Sequence, residues 1–172
     1  MGSTPPDGKS GSEGDPLAEI DELMQRRAEN EQRLSEDLRR REAEREAFAR
    51  DFTTVFETRL RPVIEEVIER LRRDGGGGMI VERPEDLRLG HRHRYTVWMS
   101  FNGEIPEVPR EDRFPYLRLD ADVERQMVIV SEGDMWQGDG GHSGRFSDWT
   151  LSEVTEDATL RELLAVLERA AG

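Results

Sequence analysis

The chain has 172 residues, of which 34% are hydrophobic and 37% charged, and acids outnumber Lys and Arg by 38 to 25 for a net charge of −13 at pH 7. An apolar share so far below the globular norm excludes one core running the whole length. The lack of cysteine excludes disulfides, thiolate metal sites and cysteine nucleophiles. No apolar run approaches the roughly 18 residues of a transmembrane helix, and Met1–Asp15 lacks the apolar stretch of a secretory signal. A cytoplasmic protein is expected.

The charge is unevenly spread. Met1–Asp15 carries −2, Pro16–Ala47 −3, Phe48–Arg73 +1 and Asp74–Gly172 −9. An acidic surface repels phosphate, which argues against nucleic acid and against anionic membranes as partners. The arginine run Arg39–Arg41 is interleaved with acids on both sides and does not make a basic patch.

Residues 1–15 are Gly-, Ser-, Pro- and Asp-rich and read as a disordered tail. Asp15 is placed to cap a helix, with Pro16 in its first position. Strong helix formers then run to Arg73 with no glycine between Gly14 and Gly75. Such a helix would be about 87 Å long, which suggests a coiled coil rather than a core element. With Leu17 at heptad position a, the seam holds Leu17, Ile20, Met24, Leu34, Leu38, Phe48, Phe52 and Val55, but also Arg27, Glu31, Arg41 and Arg45. Charge in the middle of a seam weakens it, so residues 16–47 read as a charged helical arm whose self-association is marginal. The pairs Glu29–Arg33 and Glu36–Arg40 support the helix locally, and Glu42–Glu46 opposes it.

From Phe48 to Leu71 apolar residues recur every three or four positions, an amphipathic stripe made to cover a sheet. Pro62 lies inside it and predicts a kink near Thr58–Arg61. Gly75–Gly78 form a joint or a tight reversal.

Period-two alternation follows. Strands are expected at Met79–Glu82, His91–Phe101, Tyr116–Leu119, Gln126–Ser131 and Arg145–Leu151, with Asn102–Gly103 as a turn and Gly138–Gly144 as a loop. Thr159 and Glu162 read as a capping box for a helix over 158–171. The expected class is α+β. A long N-terminal, coiled-coil-like helix precedes a globular domain over 48–172, in which a four- to five-stranded antiparallel meander carries the helices on one face.

Several constellations could carry chemistry. His91 and His93 share one strand face, and His142 is the third histidine. Together they could ligate Zn²⁺ or Fe²⁺ in an open site, although Arg92 and Arg94 bring positive charge beside them. The loop at Gly138–Gly144 lacks the lysine and the following helix of a phosphate cradle. His142, Ser143 and Asp148 have triad residue types without a nucleophile elbow. Acid pairs such as Asp120 with Asp122 read as solvated turns. Trp98 alternates with Val97 and Met99, and lies either exposed on a binding face or beneath a helix.

No catalytic residue and no cofactor is assigned. The sequence favours a non-enzymatic protein-binding or adaptor module. Its N-terminal helix would make a homo-oligomer or dock a protein partner through Leu17, Ile20, Met24, Leu34 and Leu38, with Trp98 as a further contact. Two alternatives stand beside it: a metal enzyme or sensor using His91, His93 and His142, and a secretion-type chaperone that binds an unfolded segment on the sheet face around Trp98.

Overall fold

The computed structural model describes residues 15–85, 92–111, 113–133 and 145–171. The expected disordered tail, apart from Asp15, and the glycine-rich loop 138–144 lie outside the described residues.

Helix α1 spans Pro16–Val55. Asp15 caps it: the Leu17 N–H donates to Asp15 Oδ1 at 3.1 Å, and the Glu19 N–H to the Asp15 carbonyl at 3.2 Å. A π turn follows at Phe56–Leu60, and helix α2 then spans Arg61–Arg73. The expected disturbance ahead of Pro62 is therefore a widened turn, in which the Arg61 N–H reaches back five residues to the Phe56 carbonyl. The widening serves the stripe as well as the proline. Phe48, Phe52, Phe56, Leu60, Ile64 and Ile68 lie four apart and are all buried. A strict four-residue row drifts by about 40° per step around a helix of 3.6 residues per turn. A turn of larger residue count turns the row back toward the core.

Of the two readings of Gly75–Gly78, the structure shows the tight reversal. The Gly76 N–H donates to the Leu71 carbonyl at 2.8 Å and the Gly75 N–H to that of Arg72 at 3.2 Å. With Gly75 at φ +87°, this is a Schellman end, and strand β1 already begins at Gly77. Gly78 has a packing reason. A Cβ there would lie 2.6 Å from Ile68 Cγ1, so its absence lets α2 settle on β1.

The sheet is a five-stranded antiparallel meander in chain order: β1 Gly77–Arg83, β2 Arg94–Ser100, β3 Tyr116–Asp122, β4 Met127–Gly133 and β5 Arg145–Trp149. In its register Val97 faces Ile80 on one side and Leu117 on the other. Helix α3, Glu156–Ala171, closes the order. One sheet face, with Tyr95, Val97, Met99, Leu117, Leu119, Val128 and Val130, forms a single core with the α1–α2 stripe and with Leu163 and Val166 of α3. The α+β architecture is thus as expected.

Three local readings are corrected. The capping box is at Thr150 and Glu153, opening a 3₁₀ turn at Leu151–Glu153. The Ala158 N–H then donates to Thr155 Oγ1 at 3.2 Å, so α3 starts ahead of Thr159. Thr159 itself is wholly buried, because it faces the core rather than the helix end. Finally, Asp120 and Asp122 are ladder residues of β3 and buried, not a solvated turn.

The chain divides into two compact units, Met1–Glu42 and Ala43–Gly172. The described part of the first is helical and exposed at every residue. The second holds the sheet, the core and α3. Within it Arg45 pairs with Glu124.

Candidate functional site

Among the described residues, the first unit has the one long run of large apolar side chains left in solvent. Leu17, Ile20, Leu23, Met24, Leu34 and Leu38 are 53–70% exposed. Local pairs support the backbone here: Arg26 with Glu22 at 3.2 Å, Arg27 with Glu31 at 2.9 Å and Arg40 with Asp37 at 2.9 Å. Gln25 and Gln32 add bonds to Glu29 and Glu36 at 3.0 and 2.8 Å. Each such pair adds about 0.2–0.5 kcal/mol to a helix. Such pairs can hold a helix in shape but give its apolar side chains no cover. All five helix residues singled out from the sequence share this situation, and Leu23, which the seam did not include, joins them.

In the second unit the most chemically varied cluster lies where α1 crosses the edge of the sheet. His93 Nδ1 is 3.2 Å from Thr53 Oγ1, and its Nε2 is 3.0 Å from Glu82 Oε1. The Tyr95 hydroxyl reaches the same Glu82 oxygen at 3.4 Å. A hydroxyl, an imidazole and a carboxylate in line have the outline of a nucleophile, a base and an orienter. The hydrogen bonds argue for a clip instead. Thr53 Oγ1 donates to the Ala49 carbonyl at 3.0 Å, which uses its only proton. Both ring nitrogens of His93 are thus engaged, one at Thr53 and the other at Glu82. Phe52 meets it edge-on at 5.9 Å and Tyr95 stacks on it at 5.1 Å. His93 joins α1 to β1 across 40 and 11 residues of sequence, a relation that no local spacing encodes.

Next to it, Arg61 grips Glu57 with two bonds, of 2.5 and 2.9 Å. That grip holds the Glu57 carboxyl below its ordinary range against the opposing effect of burial. Burial in turn pushes the Tyr95 phenol well above its usual value, reinforced by its bond to Glu57.

Trp98 is 6% exposed. Alternation places it on the face away from the helices, where it meets Tyr116 at 5.1 Å. Arg118 lies over Tyr116 at 4.7 Å and is paired with Glu111. The expectation of an exposed Trp98 contact is corrected, and so is the expectation that a helix covers it. Further along this face, Arg94 pairs with Asp120. Arg92 reaches Asp122 at 3.2 Å, and Arg125 joins Asp122 at 4.0 Å to Asp148. Around Trp98 and Tyr116 this second face is thus a network of paired charges.

His91 and His142 lie outside the described residues, so the structure shows only His93 of the three. Among the described residues no group of three His, Asp or Glu is placed to hold a metal ion, and no helix is long and apolar enough to cross a membrane. Compared with protein-family models, curated proteins and solved structures, the chain finds no match.

Proposed function

We propose that the protein is a non-enzymatic interaction module that engages a helical protein surface through residues 16–42. The observation that carries this reading is the solvent exposure of Leu17, Ile20, Leu23, Met24, Leu34 and Leu38 on one capped helix. A helix with polar residues all round needs no cover, whereas repeated leucines left in water favour association. The acidic surface of the remainder keeps the chain apart from phosphate and suits a basic partner. Trp98, being buried, gives the sheet-face chaperone reading no contact residue, and both ring nitrogens of His93 are engaged by Thr53 and Glu82.

The test compares the full chain with a version that starts at Ala43. Affinity capture from the native host, read alongside light scattering of the purified proteins, should show a partner or a second copy bound by the full chain and lost from the shorter one. Equal binding and equal subunit count for both would end the proposal.

A further inference from the structure

The reading above leaves the occupant of the helix open; resting on it, we infer that the occupant is a second copy of this chain, bound antiparallel with its two-fold axis near Glu29. The charged residues that interrupt the seam carry the argument. In a parallel pair each seam residue faces its own copy. Arg27 would meet Arg27, Glu31 would meet Glu31, and the flanking Asp37 would face Glu42, all of like charge. An antiparallel pair sets a positions against d positions instead. One register then opposes Ile20 to Leu38, Met24 to Leu34 and Arg27 to Glu31, each twice by symmetry. Every apolar residue of that set meets an apolar residue, and the two charges in the middle of the seam meet their opposites. Leu17 falls opposite Arg41, whose aliphatic stem can cover it while its head stays in water.

The flanks agree. In this register Ala28 meets Ala28 and Asn30 meets Asn30 beside the axis, Asp21 faces Ser35 and Leu23 faces Asp37, with no like charges opposed. Sliding by one heptad either way destroys the match. One shift sets Arg27 against Leu38 and Glu31 against Leu34, and the other sets Arg27 against Met24 and Glu31 against Ile20. Desolvating a charge against an apolar side chain is costly, so the register is specified as well as the direction. The Arg27–Glu31 ion pair within each helix, at 2.9 Å, shows both groups already on the same exposed face. Pairing across the axis exchanges that bond for one between copies.

The test uses the full chain, which has no native cysteine to interfere. Spin labels are placed singly at Ala18→Cys and Glu29→Cys and the distance between copies is read by electron double resonance. Residue 18 sits opposite residue 40 in the antiparallel register, 22 residues along the helix, so labels at 18 should lie on the order of 30 Å apart or more. Labels at 29 should lie much closer. Short distances of similar size at both sites would mean a parallel pair and would overturn the inference while leaving the interaction reading intact. A chain that sediments as a monomer up to high concentration would also overturn it; the interaction reading would then stand or fall on the host capture alone. A charge variant checks the pairing. Arg27→Glu should weaken self-association on the order of ten-fold or more, and Arg27→Glu with Glu31→Arg should restore it. In a parallel pair Arg27→Glu merely replaces one like-charged contact by another, and an unchanged subunit equilibrium would count against the proposal. Helix content by circular dichroism shows that each variant still folds.

Discussion

Two stretches of one helical run, residues 16–42 and 48–71, put similar ingredients to opposite use. Both mix leucine, arginine and glutamate at helical spacing. In the second, Phe48, Phe52, Phe56, Leu60, Ile64 and Ile68 make an unbroken row and all of it is buried. In the first, charges fall on the row at Arg27 and Glu31, and the apolar residues around them stay in solvent. An unbroken apolar row needs only a flat apolar sheet as partner. An interrupted one needs a partner with charges at matching heights. The interruption therefore decides what kind of surface a helix can meet.

The sharpest way to break the contrast is in the row that is covered. Phe56 stacks on Tyr95 with ring centroids 3.5 Å apart and is fully buried. Phe56→Ala should destabilise the Ala43–Gly172 unit by about 3–5 kcal/mol in urea unfolding. Trp98→Ala, on the other sheet face, should cost about 3 kcal/mol; a change within about 0.5 kcal/mol would mean that its burial contributes little and that the sheet has one working face. Asp15→Ala removes the cap of α1 and should weaken that helix by about 1 kcal/mol, seen as reduced helix content.

A smaller effect depends on pH. The carboxyl of Glu57 is held below its ordinary value, so its contribution is fully present above the normal carboxylate range. It is lost as the pH falls through the lowered value in the folded chain. The stability gap between the native chain and Glu57→Gln should therefore be greatest near neutral pH and close under acid, and a gap that grows on acidification would refute the assigned cause. The smallest effect is expected where exposure is greatest. Leu34→Ala with Leu38→Ala should leave the unfolding free energy of the Ala43–Gly172 unit unchanged within about 0.5 kcal/mol, yet abolish association through the helix.

The meander was legible because period-two alternation and the turn residues mark it, and the helical stretches Phe48–Leu71 and α3 were legible because their apolar stripes are regular. Boundaries were less so. Thr155 and Thr159 offer the same hydroxyl, and only the burial of the latter tells the cap from the core residue. Asp120 and Asp122 looked like turn residues because two of their arginine partners are far off in sequence, Arg94 on the neighbouring strand and Arg92 just ahead of it, while Arg125 sits in the turn itself. The His93 clip was out of reach for the same reason, since Thr53 and Glu82 are distant in sequence. The apolar positions Leu17, Ile20, Met24, Leu34 and Leu38 were readable from heptad spacing, but the same seam holds the buried Phe48 and Phe52, so spacing did not tell exposed from covered. Trp98 was not, because alternation assigns a face and says nothing about what lies on it.

The π turn at Phe56–Leu60 acts as a phase correction. On either side of it the buried residues keep a four-residue beat that an ordinary helix could not hold on one side for long. Removing a single residue from that turn would set the Phe48–Phe56 segment and the Ile64–Ile68 segment facing different directions, although no core side chain would have been touched. Length at this one place is thus as strictly specified as the identity of any buried phenylalanine.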